Sequence, residues 1–209
     1  MSGTAGTGGG RVFVTSDHHL GHARILRYAA RPHGDVEKMN ADLARRWNTV
    51  VGARDTVWVL GDWALGRAGE ALGCTSWFAG SKVLVPGNHD RCWRGTGQGW
   101  EGRQERYRRA GFDRIEHDPR PWTVAGRTVR LSHFPYRGTG DSTPVERHGG
   151  HRLVDDGGWL LHGHVHTVWR LRNRMINVGV DAWGGYPVPL DTLAELIDRG
   201  PGDLPALAW

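Results

Sequence analysis

Residues Leu160 to His166 read LLHGHVH, three histidines in alternation behind a short apolar run. Alternate side chains of an extended segment share a face, so His164 and His166 can look into one pocket, with His162 on the same side unless a turn at Gly163 redirects it. Neutral imidazole is the commonest protein ligand for a metal. One such stretch cannot close a coordination sphere, and the chain offers more: Asp17-His18-His19, Gly61-Asp62, Gly87-Asn88-His89-Asp90 and Ser132-His133. Imidazole nitrogen mixed with carboxylate and amide oxygen suits Mn, Fe, Zn or Ni better than Mg or Ca.

Each group must be carried by an element that aims it. Arg11 to Ser16 (RVFVTS), Thr56 to Leu60 (TVWVL) and Lys82 to Val85 (KVLV) read as short buried strands, and each runs directly into one of the polar groups. Thr128 to Ser132 ends at His133 and forms a hairpin with Trp122 to Val124 across AGR, while the strand 159–162 ends in the histidine triplet. Between them, Asp35 to Val51 is the clearest helix, with Val36, Met39, Leu43, Trp47 and Val50 at helical spacing and Asp35 as N-cap. Residues 67–79, Arg103 to Ala110 and Leu190 to Arg199 read as further helices; 114–116, 168–171 and 175–180 as further strands. The order βαβαβα followed mostly by β predicts an α/β sandwich with a mixed sheet. Ligands of open α/β sheets bind at the carboxyl ends of strands. A core histidine or a capping aspartate explains any one of these strand ends; five converging on one edge point to a metal site. Glycines beside Asp62, Asn88 and His164 permit the bends that turn the side chains inward.

Composition limits the alternatives. A length of 209 residues suits one domain over 11–209, preceded by a disordered leader over residues 1–10 (MSGTAGTGGG) that has no signal-peptide character. No apolar run approaches the roughly 18 residues of a membrane span. Cys74 and Cys92 form no CxxC pair, and a reducing, cytoplasmic setting is expected. The net charge of +5 invites a nucleic-acid reading, yet of 27 basic residues only Lys38 and Lys82 are lysines, and the arginines are scattered apart from RQERYRR at 103–109. So diffuse a bias reads as a compositional habit rather than a binding stripe, and is compatible with attraction of a phosphorylated substrate.

In order and spacing, Asp17-x-His19, Gly61-Asp62, Gly87-Asn88-His89-Asp90, His133 and Gly163-His164-Val165-His166 resemble the signature of the calcineurin-like metallophosphoesterases. SDHHLGH, the RP at 31–32, LLHGHVH and NVGVDAW are similar to small bacterial and phage phosphoesterases of that superfamily. The resemblance implies a four-layer αββα sandwich with mixed sheets and a dinuclear site at the strand C-terminal ends. It implies Asp17, His19 and His166 on one metal, Asn88, His133 and His164 on the other, and Asp62 bridging both. A carboxylate can bridge two cations and offset their charge, as a neutral imidazole cannot. Two divalent transition metal ions are implied, Mn first, with Fe, Zn or Ni as alternatives. The implied nucleophile is a metal-bound hydroxide, with His89 protonating the leaving oxygen and Asp90 orienting its ring.

His22 and Arg31 are candidates to contact the substrate phosphate, a surface position being the alternative for each. His18 is expected to point away from the site, His162 to lie behind the ligands, and His148 and His151 to belong to a lid within the Gly-rich loop 137–158. The expected reaction is hydrolysis of a phosphomonoester or phosphodiester. A nuclease of the same chemistry is the alternative, with a nucleotide or nucleic acid as partner, and a non-catalytic scaffold is disfavoured by the full ligand set. No membrane partner is expected. The natural substrate and the oligomeric state are not legible in the loops.

Overall fold

Consecutive apolar residues in the first strands have opposite destinations, which is why the runs look continuous rather than alternating. In a computed structural model describing residues 9–66, 68–141 and 145–209, Phe13 packs on one side of its sheet and Val14 on the other. The elements in chain order are β1 (Val12–Thr15), α1 (Ile25–Tyr28), α2 (Val36–Val50), β2 (Thr56–Val59), α3 (Ala68–Gly73), β3 (Ser81–Leu84), α4 (Trp100–Ala110) and β4 (Arg114–Ile115). They continue with β5 (Trp122–Val124), β6 (Arg127–Leu131), β7 (Trp159–His162), β8 (Leu171–Asn173), β9 (Met175–Asn177), β10 (Val188–Pro189), α5 (Leu190–Arg199) and β11 (Gly202–Leu204). Residues 1–8 of the expected leader lie outside the described residues.

Two mixed sheets result. The first has the order β10-β1-β2-β3-β4, parallel except for edge strand β10; the second has the order β11-β8-β9-β7-β6-β5, with β6, β7 and β9 parallel at its centre. Helix α2 starts where the Asp35 carboxylate accepts the Lys38 N–H at 2.7 Å, a cap worth about 1 kcal/mol. Its buried stripe, Met39, Leu43 and Trp47, covers Phe13, Val57, Val59 and Leu84 together with Tyr107 of α4. Between the sheets, Val14, Leu60 and Val85 meet Val129, Leu131, Trp159, Leu161 and Ile176, and α5 adds Leu193, Leu196 and Ile197. The far face of the second sheet, Leu160 and Met175, is closed by Tyr136, Leu153, Val165 and Trp169, so the fourth layer is built from loop here.

At the carboxyl ends of the parallel strands the sheets are tied together. Val180 donates its N–H to the Ser16 carbonyl at 3.0 Å, and Gly163 donates to the His133 carbonyl at 3.0 Å. Every expected ligand group emerges from this one edge. Three expectations needed adjustment elsewhere. The strand placed at 168–171 begins only at Leu171, because residues 166–168 turn. The helix expected over 67–79 is α3 followed by a 3-10 turn at Cys74–Trp77. The strand expected to reach residue 180 stops at Asn177, after which Val180–Ala182 forms a 3-10 turn.

Candidate metal centre

The backbone at the strand ends is bent in a way L-residues rarely adopt. Nine described non-glycine residues have φ in the left-handed region, and five of them are expected ligands: Asp17 (60°), His19 (51°), Asp62 (53°), His164 (72°) and His166 (48°). Such conformations cost of order 1–3 kcal/mol each and persist where the surroundings impose them, commonly at functional sites. Glycines contribute by closeness more than by bending. A Cβ on Gly163 would collide with Ser16 Oγ and Asp17 Oδ2, and one on Gly87 with Asp62 Oδ1.

These bends bring the side chains together. Ligand atoms of Asp17, His19 and His166 lie within 4.8 Å of one another, as do those of Asp17, Asp62 and His133. Asp62 Oδ2 sits between the two halves, 3.5 Å from His19 Nε2 and 3.4 Å from His133 Nε2. Asn88 Oδ1 is 3.0 Å from His133 Nε2. The geometry adds one feature to the expected allocation: Asp17 is within reach of both groups. His164, the last member, has its backbone N–H on Asp17 Oδ2 at 2.9 Å, and its Nε2 lies 2.9 Å from Asp141 Oδ1 in the loop.

The donor set fits divalent metal ions. Asp17 Oδ1 and both ring nitrogens of His19 are buried without a hydrogen-bond partner, an arrangement that costs free energy unless a ligand satisfies them. Electrostatics agree. Burial opposes ionisation of Asp62, but His133, His19 and His89 outweigh it and hold the carboxyl well below its usual range. Burial alone would discharge His133; the Asp62 carboxylate instead raises it to about 9. The Asp62 carboxylate is thus kept anionic and draws positive charge to the centre.

Two of the expected ligand histidines are oriented from behind, the arrangement that metal-ligating histidines generally show. His133 Nδ1 is 2.8 Å from the Leu60 carbonyl, and His166 Nδ1 is 2.8 Å from Asp181 Oδ2, which leaves each Nε2 for the centre. Asp181, missed in the sequence, is fully buried on the 3-10 turn at Val180–Ala182. Asn177 also went unrecognised; its amide donates to the carbonyls of His166 and Trp169, both at 2.8 Å. The NVGVDAW segment holds both residues, but an Asn and an Asp in it gave no sign of which way they point.

Two expected roles are corrected. Arg31 is not at the substrate side. It is buried, and its guanidinium is spent inside the protein: on Asp181 through Nε (2.8 Å) and Nη2 (3.0 Å), on the carbonyls of Asp17 (2.6 Å) and His18 (2.7 Å), and on Met39 Sδ (3.2 Å). Asp90 does not orient the His89 ring. Its carboxylate accepts the backbone N–H groups of Asp62 (2.8 Å), Trp63 (3.1 Å) and Gly87 (2.9 Å), pinning the β2 and β3 loops to each other. Burial and the neighbouring Asp62 raise its carboxyl to about 7.

His89 itself stands at the rim. Its side chain is 42% exposed, its Nε2 is 4.0 Å from Asp62 Oδ2, and its backbone N–H donates to Asp62 Oδ1 at 2.8 Å. His22 lies beside it, with ring centroids 6.4 Å apart, and 5.4 Å from His19. His18 turns away into Trp47, Trp63 and Phe78, and burial lowers it to about 3. His162 is buried against Trp169 behind the ligands and is likewise lowered to about 3 by burial. His148 and His151 both pack on Trp93, and the loop carrying them is organised by Arg152, which donates to Asp141 (2.8 Å) and to the carbonyls of Gly140 (3.0 Å) and Arg147 (3.1 Å).

Two mixed sheets with imidazoles, carboxylates and an amide converging at one edge define a metal-site α/β sandwich. Residues 10–184 match the calcineurin-like phosphoesterases, and the chain belongs to that family. Among its relatives, the gene 66 protein of Mycobacterium phage L5 is 37% identical over 203 residues, covering 90% of this chain and 94% of the phage protein. An uncharacterized protein of Methanocaldococcus jannaschii is 30% identical over 199 residues, covering 91% and 93% of the two chains. The crystal structure of a protein of unknown function from Aquifex aeolicus superimposes with a TM-score of 0.65 at 22% identity, over 90% of this chain and 99% of that one, a likeness of fold. Family membership implies metal-dependent hydrolysis of a phosphate ester, with divalent metal ions as cofactors. Among the described residues, no helix is long and apolar enough to cross a membrane.

Proposed function

We propose that residues 11–209 act as one phosphoesterase unit that hydrolyses a phosphodiester at a dinuclear centre. One ion would be held by Asp17, His19 and His166 and the other by Asn88, His133 and His164, with Asp62 available to both. The observation that carries this reading is the position of Asp62 Oδ2, 3.5 Å from one ligand histidine and 3.4 Å from the other. Mixed N/O donors favour Mn, with Fe, Zn or Ni as alternatives. Bound there, a pair of divalent cations supplies Lewis acidity, stabilises the attacking and leaving oxygens of an in-line displacement and lowers the pKa of water toward about 7.

The chain's own groups do the rest. His89 delivers a proton from its ring to the leaving oxygen, and its backbone bond to Asp62 Oδ1 at 2.8 Å keeps it over the centre. His22, beside His89, lines the approach and contacts the phosphate. Asp90 acts at one remove, holding the Asp62 and Asn88 loops in register through three backbone N–H bonds. A cavity of about 420 Å³ is walled by Trp93, Phe134 and His151 with Arg94 and Arg130, and His133 is the one expected ligand in its lining. The exposed rim at His89 leaves the site open to a second ester group, which favours a diester over a monoester.

The test is hydrolysis of bis-p-nitrophenyl phosphate beside p-nitrophenyl phosphate by protein stripped of metal and reloaded with Mn²⁺. Faster cleavage of the diester is expected, and Asp62→Ala should lose both metals and all turnover. Faster cleavage of the monoester would overturn the diester assignment. Two metals per chain retained by Asp62→Ala would overturn the sharing of that carboxylate.

A further inference from the structure

Arg31 and Asp181 are 150 residues apart in sequence, yet they form a bidentate ion pair, with Nε to Oδ1 at 2.8 Å and Nη2 to Oδ2 at 3.0 Å, in which neither side chain is exposed. Burying two charges is expensive even when they are paired, and each end of this pair makes further contacts. At the arginine end, Nη2 and Nη1 donate to the carbonyls of Asp17 (2.6 Å) and His18 (2.7 Å). Those carbonyls belong to the turn in which Asp17 and His19 hold φ of 60° and 51°. At the aspartate end, Oδ2 also accepts from His166 Nδ1 at 2.8 Å. Asp181 is anchored in turn, because Val180 donates to the Ser16 carbonyl at 3.0 Å, one residue before Asp17.

We propose that Arg31 and Asp181 are positioning residues of the first metal-ligand group, a buried clamp that sets Asp17 and His166 relative to each other. The proposal rests on the metal-centre reading above. Arg31 holds the strained turn from which Asp17 and His19 project. Asp181 holds the imidazole of His166 in the tautomer that carries its proton on Nδ1, so that Nε2 offers a lone pair to the ion. Only a planar guanidinium, with five donors in a fixed fork, can engage a carboxylate and two carbonyls at once; an ammonium cannot span them. The clamp touches no member of the second group. Behind His133 stands the Leu60 carbonyl instead.

The experiment is calorimetric titration of Mn²⁺ into metal-stripped full-length protein, with metal counting, for wild type, Asp181→Asn and Arg31→Lys. Circular dichroism of each variant verifies the fold. In Asp181→Asn the carboxylate charge is lost, and whichever way the amide turns its NH₂ meets a donor, Arg31 Nε or His166 Nδ1, which weakens the hold on the ring. One of the two Mn²⁺ ions should then bind about 10–100-fold more weakly, the other unchanged. ¹⁵N-resolved NMR of the imidazoles should show the Nδ1-protonated tautomer of His166 less populated than in wild type. Deleting the guanidinium outright would strand a buried carboxylate and threaten the fold, so Arg31→Lys serves as the second variant and should show the same loss at one ion. Unchanged affinity for both ions in the two folded variants would overturn the proposal, as would equal weakening of both ions with the His166 tautomer kept. A wild type that takes up fewer than two Mn²⁺ would defeat the metal-centre reading itself, and the clamp with it; that outcome is told apart from failure of the clamp alone by the wild-type titration.

Discussion

Behind Asp17 and His166 stands a buried guanidinium–carboxylate pair, Arg31–Asp181, whereas behind His133 stands a neutral backbone carbonyl, that of Leu60, and beside His164 a loop carboxylate, Asp141. Both arrangements can fix a ring tautomer. Asp181 and Asp141 are both carboxylates paired with a buried arginine, Arg31 and Arg152; only the first pair also holds the backbone of the turn that carries Asp17. One half of the centre is therefore set by an ion pair joining α1's C-terminal loop to the turn after β9. The other is set by strand backbone and by a loop that Arg152 folds onto the site. The half held by the Arg31–Asp181 clamp should fill first as metal is added.

Substitutions can break or sharpen this contrast, and the largest effect belongs to the residue between the halves. Asp62→Ala should abolish turnover and empty both positions, as counted by metal analysis. Gly87→Ala should approach the same result, since its Cβ would collide with Asp62 Oδ1. Gly163→Ala, by contrast, pushes on Asp17 Oδ2. It should chiefly weaken the ion at Asp17, His19 and His166, and calorimetry that showed the second ion weakened more would reverse the contrast.

His89→Ala should spare both ions and lower turnover by about 10²–10⁴-fold, the usual worth of a general acid. Its signature is a fall in kcat with metal content intact, read from steady-state kinetics on the diester.

The smallest effect concerns stability. Burial among aromatic rings lowers His18 from its ordinary 6.5 to about 3. Between those values the unfolded chain takes a proton that the folded chain refuses. Stability attributable to this residue is therefore full above pH 6.5 and falls by about 1.4 kcal/mol per pH unit as pH drops through the window. His162 is lowered to a similar value and adds to the slope. Urea unfolding at pH 7 and pH 5, in the presence of a chelator, should show a shallower loss for His18→Leu than for wild type.

Much of this organisation was legible because strand, strand end and ligand are contiguous in the chain. β1 with Asp17, β2 with Asp62, β3 with Asn88, β6 with His133 and β7 with His164 each pair an apolar run with a polar terminus, and α2 shows both its cap and its stripe. What escaped depends on direction or distance. Asp90 follows His89 in sequence, yet its side chain points to the backbone of the neighbouring loop. Arg31 stands close after the first motif, but its partner Asp181 lies 150 residues on, and no local pattern announces such a pair. The edge strands β10 and β11, of two and three residues, are too short to carry a period and are defined by the strands they border.

The central claim is a shared carboxylate between two ions, and anomalous diffraction from crystals soaked in Mn²⁺ addresses it directly. Two peaks are predicted, one against Asp17, His19 and His166, the other against Asn88, His133 and His164, with Asp62 in contact with both. A single peak, or two peaks of which only one touches Asp62, would contradict it.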